Sequence, residues 1–397
     1  MMTTPHILSK KAPLFKDEIY VTRPNLPTTK ELNPLITEML NNQWVTNFGN
    51  FHKEFEKRIK DSLKVKHVIL CCNGTVALFL LIRALNLKGK VITTSFTFPA
   101  TVHSVFMAGL EPLFCDINPH DYTLDPESVK RNITKDTSCI LGVNVFGNTC
   151  DIENLNVIGK KFDIPVIYDS AHAFLCRYKN KPVGGFGDAE MFSFHATKLF
   201  TTIEGGAITT NDEQLYIKLR QLINFGIKNE EEVVGIGLNG KMSEINAIFG
   251  LLSLKKIDKI IGKLKILSES YKDYLSGIPG IKFQEIRKDC QTNHQYMPVE
   301  IISEEFGLTR DELHAILKED NVITRKYFYP AAHQYECYKS FNFAKSAKLP
   351  NTDKVVSQIL CLPIYATLRR RDVMQICGLI RSIHCHSKEI AYKLRRQ

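Results

Sequence analysis

The chemistry in this chain is most legible in two short runs. In EMFSFHATKLFTTIEGGAITT a strand-like segment leads past Ser193 and His195 to Lys198, and a Glu-Gly-Gly turn (residues 204–206) follows. In VIYDSAHAF three apolar residues lead into Asp169, with His172 three residues on and Lys198 29 residues on. A lysine freed of water can lose its proton and condense with an aldehyde, then shuttle protons once an incoming amine displaces it. A carboxylate at contact distance from a ring nitrogen holds that ring protonated. Each feature has a plain reading: a loop lysine is ordinarily solvated, and an aspartate at a strand end is ordinarily a helix cap. A third run, CCNGTVALFLL, ends a strand at Cys72 and starts an apolar helix near Thr75. The free N–H groups and positive dipole end there suit a phosphate, although a Gly-Thr pair before a helix is also an ordinary turn.

These residues need a frame that brings them together. Between about 67 and 265, short runs rich in Val, Ile and Phe (HVILCC, KVITTSF, EPLFCDI, CILGVNVF, IPVIYD) alternate with helical stretches such as 75–86 and 99–108. That alternation predicts an α/β fold with a mostly parallel sheet covered on both faces, which binds ligands at the carboxyl ends of its strands. A helix is expected over 51–63, with Phe51, Phe55 and Ile59 on one face. Before it, a proline-bearing region (Pro24, Pro27, Pro34) reads as an irregular arm and one short helix. One long helical stretch is expected over 243–275, ending at Gly277-Ile278-Pro279-Gly280. The expected organisation is an N-terminal arm over 1–20, a large ligand-binding domain over 21–275 and a smaller C-terminal α+β domain over 276–397. The last has strands in IKFQEI and QYMPVEI and helices over 308–319, 351–359 and 370–383.

Composition narrows the function classes. With 44% hydrophobic residues in 397, the chain can bury a full core. No apolar run reaches the roughly 18 residues that a membrane span needs, and the N-terminus carries no apolar segment of signal-peptide length. The 11 cysteines are irregularly spaced with no CxxC, so free thiols in a reducing, cytoplasmic setting are expected. His384, Cys385 and His386 lack a second ligand cluster, and no metal is expected. The net charge of +10 is spread along the chain. Its densest points are Arg369–Arg371 and the tail Lys393, Arg395 and Arg396. A solvated surface compatible with a diphosphate-bearing small molecule is expected, and no nucleic-acid partner.

The segments NGTVAL, SFTFPATVHSVFMAGLEPLFCDI, YDSAHAF, SFHATKLFTTIEGGAITT and GLNGKMSEINAIFGL together resemble the DegT–StrS family of pyridoxal-phosphate-dependent sugar aminotransferases, from about residue 20 to about 370. The resemblance implies the fold-type-I, aspartate-aminotransferase-like architecture with pyridoxal 5′-phosphate as cofactor. It implies Lys198 as the cofactor-bearing lysine and proton shuttle, Asp169 on the pyridine nitrogen, and His172 near the phenolic oxygen. It further implies Phe98 stacked on the ring, where the plain reading is a core phenylalanine. Phosphate contacts are implied from Gly74, Thr75 and Ser193, and from Asn239 of a second subunit, hence a homodimer with shared active sites. Dehydratases of the family carry histidine in place of the lysine, so Lys198 favours amination. A departure is Asn73, where the family often has serine. The segments RPNLP, WVTNFG, TRKYFYP and GLNGKMSE are similar to those of enzymes that make 4-amino-4,6-dideoxyglucose (viosamine) on a dTDP carrier. That likeness implies Thr46 and Asn47 near the nucleotide sugar and Arg325 on the diphosphate, for which its planar fork is suited; a surface ion pair is the alternative for Arg325. Tyr327 and Tyr329 are implied at the substrate or in packing. The expected reaction takes an amino group from L-glutamate to a nucleotide-linked 4-keto-6-deoxy sugar. A 3-keto sugar, another fold-type-I activity such as a lyase or desulfurase, and cofactor binding without turnover remain the alternatives.

Overall fold

The computed structural model describes residues 5–9 and 12–395. Residues 1–4, 10 and 11 of the expected arm, and Arg396 of the basic tail, lie outside the described residues. In chain order the strands are β1 (His67–Cys71), β2 (Lys90–Thr94), β3 (Glu111–Cys115), β4 (Thr137–Val143), β5 (Val166–Asp169), β6 (Arg177–Tyr178), β7 (Lys181–Pro182), β8 (Ala189–Ser193), β9 (Gly206–Thr210), β10 (Ile281–Phe283), β11 (Cys290–Gln291), β12 (Met297–Ile301) and β13 (Ile359–Leu362).

Seven of these form the main sheet, in the order β1-β9-β8-β5-β4-β2-β3. The pairs β8–β5, β5–β4, β4–β2 and β2–β3 are parallel, whereas β9 runs antiparallel to both of its neighbours. The α/β, mostly parallel architecture read from the alternation is therefore present. Its strands are short and buried along nearly their whole length, as expected of a sheet covered on both faces. One cover is the helix Gly74–Ala84, whose Leu78, Leu81 and Ala77 are fully buried. Its Leu- and Ala-rich sequence favours helix, and the Asn73 side chain caps it by accepting the Val76 N–H at 2.8 Å. The helix Pro99–Met107 starts with proline at its first position, where the missing N–H costs nothing.

The long helical stretch expected over 243–275 is two helices, Glu244–Leu254 and Ile257–Leu275. The reason is packing. The first presents Gly250 to the Phe55 ring so closely that an added Cβ would lie 2.5 Å from Phe55 Cζ, while the second packs on the helix Arg370–Cys385. The two partners are served by separate helices, and the chain turns at Lys255-Lys256, where Lys256 pairs with Glu31.

A second, antiparallel sheet runs β10-β12-β13, and a third, small one runs β11-β6-β7. The apolar run ILCL of β13 abuts the helix Pro350–Gln358 directly, so by periodicity alone it reads as helix or strand, and the sequence reading passed over it. The expected arm is also tied down near its end. Ile19 exchanges backbone hydrogen bonds with Asn321 and Ile323 at 2.8 and 2.9 Å, satisfying groups that an irregular segment would leave to water. Across Leu275 the apolar core is continuous, from Phe55 and Phe200 through Tyr271 to Ile383.

Candidate active site

The residues that end β4, β5 and β8, and those that follow β1 and β2, meet at one cavity of about 460 Å³. This is the carboxyl edge of the sheet, where parallel strands bind ligands. Asp169 closes β5, flanked in register by Val143 of β4 and Met191 of β8. Lys198 lines the same cavity. Its loop is fixed from behind: Leu199 N–H donates to Gln295 Oε1 at 2.9 Å, Thr202 N–H donates to Phe194 O at 3.0 Å, and Phe200 stacks on Phe55 at 6.0 Å.

The electrostatics follow from burial. The Lys198 amine is brought down to about 8, mainly because the walls strip it of water, with the Asp169 charge opposing. Burial raises the Asp169 carboxyl, and hydrogen bonds limit the rise. Thr101 Oγ1 donates to its Oδ2 at 2.7 Å and Ala171 N–H to its Oδ1 at 3.1 Å. His172 is held well below its usual range by burial, with the Lys198 charge adding to the effect. Its Nδ1 accepts the Phe146 N–H at 3.1 Å, and its ring lies nearly parallel to those of Phe146 and Phe328, about 6 Å away.

Gly74, Thr75 and Ser193 converge on the cavity. A Cβ added at Gly74 would lie 2.9 Å from Ser193 Cβ, so glycine is what lets the helix start beside that hydroxyl. The Glu-Gly-Gly turn has a similar reason. A Cβ at Gly206 would meet the Asn73 and Gly74 backbones at 2.8 Å, because β9 pairs with β1 at this level. With Asn73 occupied as the cap, its departure from serine leaves the first-turn N–H groups of Gly74 and Thr75 free of partners within the helix.

The structure brings Gly74, Thr75, Phe98, Asp169, His172, Ser193, Lys198 and Tyr327 to this one cavity. Phe98 is 53% exposed, which excludes the core reading. Four expected residues lie off it. Thr46 and Asn239 are exposed, and Asn47 is half-buried. Arg325 is exposed and pairs its backbone with Cys361, donating at 3.1 Å and accepting at 2.7 Å. Sequence reasoning missed Thr101, Tyr296 and Phe328. Thr101 sits within the quoted run SFTFPATVHS, and its proximity to Asp169 depends on the β2–β4–β5 order. Tyr296 reads only as the start of a strand, and Phe328 only as one of several aromatics.

These residues fit pyridoxal phosphate: a hydroxyl and helix start for an anion, a buried acid for a ring nitrogen, an exposed aromatic for a ring face, and an amine with a lowered pKa for an aldehyde.

The pattern that defines the DegT/DnrJ/EryC1/StrS aminotransferase family matches residues 27–381. A dTDP-4-amino-4,6-dideoxy-D-glucose transaminase of Escherichia coli is 37% identical over 365 residues, covering 91% of this chain and 98% of that protein. A GDP-perosamine synthase of Vibrio cholerae is 30% identical over 87% of this chain and 94% of its own length. Among solved structures, DesI in the presence of its TDP-sugar product superposes with a TM-score of 0.94 at 33% identity, covering the whole of both chains. Helicobacter pylori PseC, an aminotransferase of pseudoaminic acid biosynthesis, superposes with a TM-score of 0.86 at 27% identity, over 92% of this chain and 99% of that one.

Proposed function

We propose, for a chain that belongs to the DegT/DnrJ/EryC1/StrS aminotransferase family, transfer of the amino group of L-glutamate to a nucleotide-linked 4-keto-6-deoxy sugar. The favoured substrate is dTDP-4-keto-6-deoxyglucose and the product dTDP-4-amino-4,6-dideoxyglucose. The observation that carries this reading is the meeting of a buried acid, Asp169, and a lysine of lowered pKa, Lys198, at the carboxyl edge of the sheet. The preference for the dTDP-linked 4-amino sugar rests on the Escherichia coli relative at 37% identity.

The cofactor is pyridoxal phosphate, which when bound supplies an electrophilic aldehyde and an electron sink for carbanion charge. Lys198 Nζ is the amine that carries it, and once freed it moves a proton from the α-carbon of glutamate and later to C4 of the sugar. Asp169 keeps the ring nitrogen protonated. Gly74, Thr75 and Ser193 hold the phosphate, His172 flanks the ring and Phe98 covers a face. Tyr327, on the cavity wall, contacts the sugar nucleotide. We assign Asn239, Thr46, Asn47 and Arg325 to a site shared between two subunits. Their position outside their own cavity supports this, as does the exposed apolar run near Asn239, with Phe225, Val233, Val234 and Ile236 all more than a third exposed. Among the described residues, no helix is long and apolar enough to cross a membrane. A cytoplasmic setting suits cysteines that are all free thiols, most of them buried.

Two outcomes test this reading. Incubation with glutamate and a panel of nucleotide-linked 4-keto and 3-keto sugars, read by mass and NMR, is expected to give 2-oxoglutarate and a 4-amino sugar on dTDP. Amination of 3-keto sugars alone would overturn it. Double-reciprocal plots are expected to be parallel, since the amino group is parked on the enzyme between substrates; intersecting lines would contradict that. A further expectation concerns pH. Because the Lys198 amine titrates near 8 rather than 10.5, capture of pyridoxal phosphate by the apoprotein should accelerate with rising pH and level off above about 8. A rate still climbing past 10 would show an ordinary, solvated lysine.

A further inference from the structure

Tyr296 stands immediately before β12 and reaches the cavity beside Lys198. Its hydroxyl lies 3.2 Å from His172 Nε2 and 3.5 Å from Lys198 Nζ. The two ring centroids are 4.5 Å apart. The direction of the protons follows from the other side of His172. Nδ1 accepts the Phe146 backbone N–H, so it bears no proton, and a neutral imidazole must then carry its proton on Nε2. Burial keeps the ring neutral. His172 Nε2–H therefore donates to Tyr296 Oη, and Lys198 Nζ donates an N–H to the other lone pair of the phenol, which leaves the lone pair of the neutral amine free for an aldehyde. The charged amine makes the same bond through one of its three N–H groups. His172 has no nitrogen left to accept a proton, so it orients the phenol and does not act as a base.

We propose that Tyr296 is a positioning residue for the reactive amine: His172 fixes the direction of its hydroxyl, and the hydroxyl holds Lys198 Nζ at the cavity wall. The inference rests on the reading of Lys198 as the cofactor-bearing amine. The phenol is held from the other side by ring contacts: Phe146 lies 5.3 Å from Tyr296 and Phe328 lies 5.8 Å from His172, centroid to centroid. The other titratable groups that face this chain are Asp169, on the Lys198 side, and Tyr327 and Cys361, on the Tyr296 side. Burial keeps Tyr327 and Cys361 neutral, so only Asp169 competes for the amine.

The test is stopped-flow capture of pyridoxal phosphate by the full-length apoprotein, read as the rise of the visible band. Tyr296→Phe keeps the ring that packs on His172 and is expected to slow capture about tenfold, the value of one well-shielded hydrogen bond, while the final band reaches the parent height. His172→Asn retains an acceptor for the Phe146 N–H but has no group at the position of Nε2. It should slow capture by a similar factor, and the double variant should be no slower than Tyr296→Phe, because both remove one linked interaction. In turnover, kcat of Tyr296→Phe should fall while KM for the sugar nucleotide stays near that of the parent. Capture by Tyr296→Phe at the parent rate, or additive effects of the two substitutions, would overturn the proposal and leave the Lys198 reading intact. A Lys198→Ala protein that still develops the band would sink that reading instead.

Discussion

Lys198→Ala is expected to leave a folded protein that binds no cofactor covalently, shows no visible band and turns over at least about 10⁴-fold more slowly, since both the covalent amine and the proton carrier are lost. Among the described residues that line the cavity, Lys198 is the one amine, so no neighbour can take over the covalent task. The fold should survive for reasons visible around the loop. Leu199 and Phe200 are buried and anchored on the other side of the chain, against Gln295 and the rings of Phe55, Phe174 and Phe194. The pKa shift gives the same answer through linkage. In the fold the amine titrates near 8, and in the unfolded chain near 10.5, so the folded apoprotein disfavours the charged form. That cost is fully present below about 8 and is lifted as pH rises from 8 to 10.5. Removing the amine should therefore stabilise the apoprotein at pH 7, with the gain shrinking on the alkaline side. A visible band in the variant, measured after adding pyridoxal phosphate, would show that another amine carries the cofactor.

The sequence made the site legible where chemistry and local structure coincide. Asp169, Ser193 and Lys198 sit at or just beyond strand ends that apolar runs announce, and Gly74 marks a strand-to-helix turn. What it concealed depends on strand order. Thr101 touches Asp169 because β2 lies one strand from β5, with β4 between them, and no spacing along the chain encodes that. Tyr296 is about a hundred residues from Lys198 and meets it only in the fold, where the chain just before β12 reaches the cavity. The break at Lys255-Lys256 was hidden for a related reason. Its two flanking helices each carry an apolar stripe, and each stripe packs on its own partner, Phe55 for the first and the helix Arg370–Cys385 for the second. The strand β13 was lost to a plainer ambiguity, four apolar residues following a helix without a turn signal. Arg325 was placed by motif alone: its backbone pairs with Cys361 and its side chain is exposed, a setting that no spacing along the chain encodes.

Asp169→Asn separates cofactor capture from catalysis, and its expected outcome differs in kind from that of Lys198→Ala. The visible band should form, because Lys198 remains, while kcat should fall by about 10³-fold, within the range lost when a proton-holding group of an active site is neutralised. The substitution is nearly isosteric, and the surrounding hydrogen bonds can adapt. The carboxylate now accepts from Thr101 Oγ1 and from Ala171 N–H. An amide can keep Ala171 on its oxygen and donate through its NH₂ to Thr101. Thr101 can then turn its own proton to Thr97 Oγ1, already 2.7 Å away. Geometry is thus retained and only the charge is lost. Without that charge a ring nitrogen forfeits about 1–3 pK units of proton affinity, and the electron sink weakens at neutral pH. The carboxyl itself is raised by burial, so the parent enzyme should lose the anion at a higher pH than an exposed aspartate would, and the acid limb of its rate profile should vanish in the variant. Near-parent kcat with a normal band would remove Asp169 from the ring nitrogen, and loss of the band would move it to cofactor binding instead.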